Sequence, residues 1–449
     1  MNKRCSTLRE LGQTALPLVA VGLVSSVCRF ADRFFLGHHS QTTLAAVSPA
    51  SLLTIVCSCF FITTVSYSGT FIANYYGRGK QQMAIHAFGQ GLWMTLFAVP
   101  LILLAIPLGH LVISQLGHSV ELANAEKTYF DIVMLSQPFM LLSTVLIGYY
   151  TAERQTRTVG VCSSAGCLLN LLLDPIFIFG AGPIPSGGIT GAALAALVSS
   201  VATTGFLALS LMRRRISWKR MTHHLRFDAA LSLRILRFSL PNTISYLIGM
   251  ASFYAFVCAT ERTGEAALAV SNACLCVNGF YAATIEGLKG ALTALTGRLR
   301  GSGDLQRMRQ TLGQAIKLSA IPYALCSMTY VLAGGILAGL FAANDQDAAI
   351  YSALGKTLFL ILVANNLLET VQSIITAALL GVGDTKFSML SACGVQLLFW
   401  LPLIVLSLVF SPSVATLWWT FVAWRVLHVA FLILRWKSGA WRSIRLMQD

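Results

Sequence analysis

The feature that most limits what this chain can fold into is a succession of apolar stretches, each long enough to cross a bilayer. About twelve are legible, near residues 11–36, 44–74, 86–112, 127–150, 158–180, 187–212, 232–260, 268–297, 314–341, 350–381, 387–410 and 414–435. A spanning helix needs roughly 20 mostly apolar residues, because only a backbone that meets its own hydrogen bonds survives in hydrocarbon. Of 449 residues, 56% are hydrophobic and 11% charged, whereas soluble domains carry about 25% charged residues. The expected fold class is an all-α polytopic membrane protein with twelve transmembrane helices. The N-terminus has the basic start and apolar run of a signal peptide. No small-residue cleavage site follows and the run continues through Asp32, so it reads as a retained first span.

A formal net charge of +15 raises the question of nucleic acid, and the distribution of charge answers it. With both termini on one side, that side collects most of the 32 Lys and Arg, including Lys3, Arg4, Arg78, Lys80, Arg154, Arg157 and the run from Arg213 to Arg226. The other side holds Arg33, Lys127, Arg262 and Lys356, and only Arg29, Lys289 and Arg425 fall inside spans. This is the positive-inside asymmetry, which puts both termini in the cytoplasm of a multi-pass inner-membrane protein. The expected partners are the lipid bilayer and small molecules, with no nucleic acid, and the chain is expected to be a monomer. The cysteines lie mostly inside spans (Cys57, Cys59, Cys162, Cys167, Cys274, Cys276, Cys326, Cys393) without a CxxC spacing, and read as small apolar packing residues.

The chain repeats itself. Leu16-Pro17 opens the first span and Leu240-Pro241 the seventh. Leu44-Ala45-Ala46-Val47-Ser48 is echoed by Ala267-Leu268-Ala269-Val270-Ser271. Tyr76-Gly77-Arg78-Gly79-Lys80 is answered by Arg298-Leu299-Arg300-Gly301-Ser302-Gly303-Asp304, and Glu153-Arg154-Gln155-Thr156-Arg157 by Gly383-Asp384-Thr385-Lys386. Four landmarks recur in order at an offset of about 220–230 residues, the mark of an internal duplication. The expected organisation is an N-terminal six-helix bundle over 1–212, a basic cytoplasmic linker over 213–231 and a C-terminal six-helix bundle over 232–449, related by a pseudo-twofold axis along the membrane normal. Such duplication is typical of secondary transporters. Pro17 and Pro241 are expected at helix entrances, where a missing N–H costs little. Pro100, Pro107, Pro138, Pro175, Pro322 and Pro402 fall within or at the ends of spans.

Ionisable residues inside spans are costly, roughly 2.5–3.5 kcal/mol on insertion scales, and mark function unless they are neutralised. Asp32 lies near the end of the first span and Asp174 interrupts the fifth. Asn170 and Asp174 are spaced i, i+4 and share a helix face. An amide beside a carboxyl can donate to it when ionised and accept from it when protonated. Two acids in one poorly hydrated pocket resist ionising together, which suits them to taking up and releasing a coupling cation. The alternatives are an inert Asp174 bonded to backbone freed by Pro175, and an Asp32 salt-bridged to Arg29 or Arg33. Glu286 and Lys289, i, i+3 in the eighth span, either neutralise one another or form a second cation or substrate site with Glu369 of the tenth, which Lys289 is placed to reach. Arg425 and His428 form a further i, i+3 pair, with the histidine read as a structural group at a helix end. Tyr67, Tyr149, Tyr150, Phe253, Tyr254, Phe280 and Tyr281 are candidate walls for a lipophilic cation. Trp418, Trp419, Trp436 and Trp441 read as interfacial belt residues. No catalytic motif, nucleotide loop or metal-ligand spacing is present, so the chain is not expected to be an enzyme or to need a cofactor.

Several of these stretches resemble the multidrug and toxic compound extrusion (MATE) transporters. They are Asp32-Arg33-Phe34-Phe35-Leu36-Gly37 followed by Leu44-Ala45-Ala46, and Leu169-Asn170-Leu171-Leu172-Leu173-Asp174-Pro175-Ile176-Phe177-Ile178-Phe179-Gly180 followed by Gly188-Ile189-Thr190-Gly191-Ala192-Ala193. Gly290-Ala291-Leu292-Thr293-Ala294-Leu295-Thr296-Gly297-Arg298 resembles the eighth-span segment, and Glu369-Thr370-Val371-Gln372 with Gly381-Val382-Gly383-Asp384-Thr385 the tenth. The resemblance covers about residues 10 to 435. It implies two six-helix bundles forming a V-shaped cavity, and export of lipophilic, often cationic compounds in exchange for protons or sodium. In the proton-coupled, DinF-like members an acid on the first helix and an Asn and Asp on the fifth carry the cation; Asp32, Asn170 and Asp174 match them. In NorM-like members a seventh-helix Glu and a tenth-helix acid do so. Glu369 fits the second, but Ile248, Gly249 and Met250 stand where the first would fall. The expectation is therefore a proton-coupled antiporter of the DinF-like branch. A sodium-coupled exporter and a lipid-linked or polysaccharide flippase of the wider superfamily are the alternatives.

Overall fold

The computed structural model describes residues 2–39, 41–115, 119–180, 185–213, 225–341, 345–409 and 413–444. Among them are twelve helices long and apolar enough to cross a membrane, and no strand. They are α1 (Asn2–His39), α2 (Gln41–Gly77), α3 (Gln81–Gln115), α4 (Val120–Ala152), α5 (Thr156–Phe179), α6 (Gly188–Arg213), α7 (Ala229–Glu261), α8 (Glu265–Ser302), α9 (Leu305–Gly339) and α10 (Asp345–Val382). The eleventh span, α11, joins Thr385–Val395 to Leu401–Val409 through a π-helical turn at Gln396–Trp400. The last, α12, is Val414–Ser438. Each apolar stretch forms one helix, and most helices run past the apolar window because their polar ends continue the backbone ladder.

That continuation corrects one expectation. Pro17 and Pro241 lie inside α1 and α7, not at their entrances. The polar segments ahead of them, from Asn2 and from Ala229, are already helical, so each proline removes an interior hydrogen bond. Pro402 sits just beyond the π turn of α11, a widening that accommodates a lost backbone partner.

Two of the four repeated landmarks are repeated caps. After α2, Gly79 is left-handed (φ 72°), the Lys80 N–H reaches the Tyr75 carbonyl at 3.0 Å and the Gly79 N–H reaches Tyr76 at 3.1 Å. After α8, Gly303 (φ 77°) repeats the turn, with Asp304 bonded to Leu299 at 3.1 Å. After α4 and α10 the left-handed residues are Arg154 (φ 68°) and Gly383 (φ 90°), with Gln155 bonded to Tyr150 and Asp384 to Leu379, both at 2.8 Å. All four are Schellman-type ends, and three use the residue that takes this conformation without a Cβ clash.

The helices form two compact units. One comprises Ala20–Thr243 and the other Met1–Val19 with Ile244–Asp449. The expected linker over 213–231 lies largely outside the described residues, at 214–224. Its last part joins the first unit: Trp93 Nε1 donates to the Leu225 carbonyl at 2.7 Å and Gln90 Nε2 to the Arg226 carbonyl at 2.8 Å. Within that unit small residues let helices meet closely. A Cβ on Gly69 would stand 3.1 Å from Gly148 Cα, and one on Gly191 would stand 2.0 Å from the Phe177 carbonyl oxygen. The second unit has two apolar cores. One gathers Leu11, Leu292, Met308, Ala378, Leu432 and Trp441; the other gathers Phe256, Phe359, Leu362, Trp400, Leu417 and Trp418. The start of α1 belongs to this unit through Leu11 and Ala15, and through an ion pair between Glu10 and Arg307.

Candidate functional site

In the first unit, α1 and α5 form a seam on which the N-terminal candidates converge. Asn170 Nδ2 donates to Asp174 Oδ1 at 3.0 Å, as the i, i+4 spacing anticipates. Asp174 is fully buried, and its Oδ2 has no hydrogen-bond partner among the described residues. Asp32, on α1, is half-buried and close enough to Asp174 to act on it electrostatically. Arg29 donates to the Ser26 hydroxyl at 2.9 Å. Two thiols complete the seam: Cys28 Sγ donates to the Cys167 carbonyl at 3.1 Å, and Ser25 Oγ lies 3.3 Å from Cys167 Sγ. Positions 25, 28 and 32 on α1 thus face 167, 170 and 174 on α5, each set spaced by three and four residues.

In the second unit the in-span charges resolve into pairs. Lys289 Nζ bonds Glu286 Oε1 at 2.8 Å, with the glutamate 64% exposed. Glu369 pairs with Arg425 of α12, Nη2 to Oε2 at 3.2 Å, and both side chains are largely buried. Lys289 stays within electrostatic reach of Glu369, while its direct bond is to Glu286. Arg425 also donates to Gln372 Oε1 at 3.3 Å and lies over the Trp424 ring at 5.1 Å. The acid that sequence placed near Lys289 therefore has a guanidinium as its bonded partner. No spacing within α10 or α12 announces that contact, because it depends on how the two helices pack. His428 is not at a helix end; it is buried in mid-helix with Nε2 3.4 Å from the Ser391 hydroxyl.

The aromatic candidates divide. Tyr67, Tyr149, Tyr150 and Tyr281 are buried packing groups: Tyr150 donates to the Leu207 carbonyl at 3.0 Å and Tyr281 to the Asn366 carbonyl at 3.2 Å. Phe253, Tyr254 and Phe280 remain exposed. Of the expected belt, Trp418 and Trp441 are core residues instead. Trp418 Nε1 reaches Ser271 Oγ at 3.0 Å, and Trp441 stacks on Trp436 at 4.6 Å. An indole satisfies its N–H as well inside a polar-lined core as at an interface.

Two polar clusters went unread in the sequence. Asp384, nearly inaccessible, takes two bonds from Arg435, at 2.7 and 3.3 Å. Asp228 accepts the N–H groups of Ala230 and Leu231 at 2.9 and 3.1 Å and lies 3.2 Å from His86 Nε2. The Leu231 N–H first, with help from His86 and Ala230, holds the Asp228 carboxyl below the usual carboxylate range. Its place just ahead of α7 is an N-cap position, the one local signal that was available.

The sequence matches the MatE family twice, over residues 17–176 and 241–406, once in each half of the internal repeat. It is 22% identical over 383 residues to "Probable multidrug resistance protein NorM" of Thermotoga maritima, spanning 84% of this chain and 80% of that protein. It is 24% identical over 345 residues to "DNA damage-inducible protein F" of Escherichia coli K12, spanning 76% and 74% respectively. Its fold is similar to that of a solved structure described as the "outward-facing conformation of a multidrug resistance MATE family transporter of the MOP superfamily". The TM-score is 0.88 at 20% identity, over 98% of this chain and 97% of that one.

Proposed function

The chain belongs to the MatE family of transporters, and from that premise we propose that it is a proton-coupled antiporter exporting lipophilic or cationic small molecules across the inner membrane. The NorM relative and the structural neighbour are described as multidrug resistance proteins. The observation that carries it is the buried Asp174, bonded to Asn170 through one oxygen and facing Asp32 across the α1–α5 seam. A carboxyl out of water beside a second acid is stable when it shares or takes a proton. Uptake removes like charge from the seam and lets α1 and α5 close; release restores the repulsion and reopens it. Substrate and proton thereby alternate at the N-terminal half, and protonation of Asp32 and Asp174 expels the substrate.

Sodium is the weaker reading for a structural reason. Glu369 is already matched by Arg425, and α7 offers no acid at Ile248, Gly249 or Met250. Lys289 and Arg425 are both ion-paired, which argues against an anionic lipid-linked cargo. We take the working unit to be a monomer with both termini in the cytoplasm, its six-helix halves 1–212 and 232–449 joined by the basic segment 213–231.

The test is efflux of a fluorescent cation from proteoliposomes under separately imposed pH and sodium gradients. Export is expected to follow the pH gradient and to fall at least tenfold in Asp174→Asn and in Asp32→Asn. Export that follows sodium alone, or an Asp174→Asn protein that transports normally, would refute the proposal.

A further inference from the structure

The α1–α5 seam carries a second pair of ligating atoms that proton exchange does not use. Cys28 precedes Asp32 by four residues, and Cys167 precedes Asn170 by three and Asp174 by seven. Cys28 therefore sits one turn from Asp32, and Cys167 one turn from Asn170 and two from Asp174, on the same two helix faces. Cys28 is 5% exposed and bonds the Cys167 carbonyl at 3.1 Å, while the Cys167 thiol is held by Ser25 at 3.3 Å. Both cysteines are free. Each comes from a different helix, so a ligand bridging them must span the seam.

Ligand chemistry narrows what fits. No group of three or more His, Cys, Asp and Glu with metal-binding geometry occurs among the described residues. A tetrahedral zinc site needs four ligands. Soft cations, in contrast, select thiol sulfur, and those that bind linearly are satisfied by two. We propose that Cys28 and Cys167 form a dithiol site for soft, two-coordinate cations of the mercuric class. With mercuric chloride as the donor, two S–Hg bonds form, two Hg–Cl bonds break, and two protons and two chloride ions leave; no oxidant or reductant is consumed. Neutral mercuric chloride also enters an apolar seam without carrying a net charge into it. The assignment is independent of the exported compound and of the coupling ion, so either proposal can fail alone.

The test uses the full chain, purified in detergent and treated with mercuric chloride. The sample is washed with a monothiol, which strips singly held mercury, and then with a dithiol, which removes chelated mercury. Wild type is expected to keep one mercury per chain through the first wash and lose it in the second. Cys28→Ser and Cys167→Ser are each expected to lower that retained mercury at least tenfold, whereas Cys274→Ser leaves it unchanged. A monodisperse elution profile for each variant separates loss of a ligand from loss of fold. A protein with the nine other cysteines replaced by serine, keeping only this pair, should still retain one mercury. No retention in wild type, or undiminished retention in the two seam variants, would overturn the assignment.

Discussion

At the residue scale, the decisive quantity is how each buried charge is satisfied. Asp384 is nearly inaccessible and its carboxylate is met by two bonds from Arg435. Removing one partner of a buried pair strands the other, at about 3–5 kcal/mol for fully buried pairs. Arg435 is 24% exposed, so Arg435→Ala is expected to cost about 2–3 kcal/mol, part of it recovered in the double variant Arg435→Ala/Asp384→Ala. Thermal unfolding in detergent measures both. Gly383 belongs to the same turn and is left-handed at φ 90°. Gly383→Ala is expected to destabilise by about 1–2 kcal/mol, the penalty for placing a Cβ in that region; an unchanged melting temperature would contradict it.

At the element scale, two features control how helices begin and meet. Asp228 caps the start of α7 and sits against His86 of α3, and its carboxyl is held below the usual range. A depressed folded-state value means the stabilisation is present above the unfolded value near pH 4 and is lost as pH falls through the folded one. Amide protection at residues 229–232, relative to intrinsic exchange, is therefore expected to fall below about pH 4, and in Asp228→Ala to be low already at neutral pH. Close contact of α5 and α6 rests on Gly191, where any Cβ would meet the Phe177 carbonyl oxygen at 2.0 Å. Gly191→Val must push the helices apart, and a cost of about 3 kcal/mol or outright loss of the folded protein is expected. Normal yield and stability of that variant would show that the contact yields cheaply.

At the scale of the whole molecule, the two halves handle their intramembrane charge differently. In one, Asp174 is bonded to the neutral amide of Asn170; in the other, Glu286 and Glu369 are matched by Lys289 and Arg425. Glu369→Gln is therefore expected to impair folding more than coupling, because it leaves Arg425 buried beside a neutral amide. Its proteoliposomes should retain the pH dependence of export at reduced protein yield. A variant that folds normally but loses pH-driven export would move the coupling site to the second half.

The twelve spans, the twofold repeat and the Asn170–Asp174 pair were legible in the sequence, because each depends on neighbours within one helix or on a composition that only a bilayer tolerates. The i, i+4 rule brings Asn170 to Asp174 whatever the rest of the chain does, and the recurring Gly-containing turns cap helices by local hydrogen bonds alone. The partner of Glu369, the burial of Trp418 and Trp441, and the meeting of Cys28 with Cys167 were not legible. Each depends on the rotation and depth of one helix against another, and those are set by the summed packing of small residues along whole interfaces. Sequence by itself determined which groups must be hidden from water; only the tertiary structure decided which groups they would be hidden with.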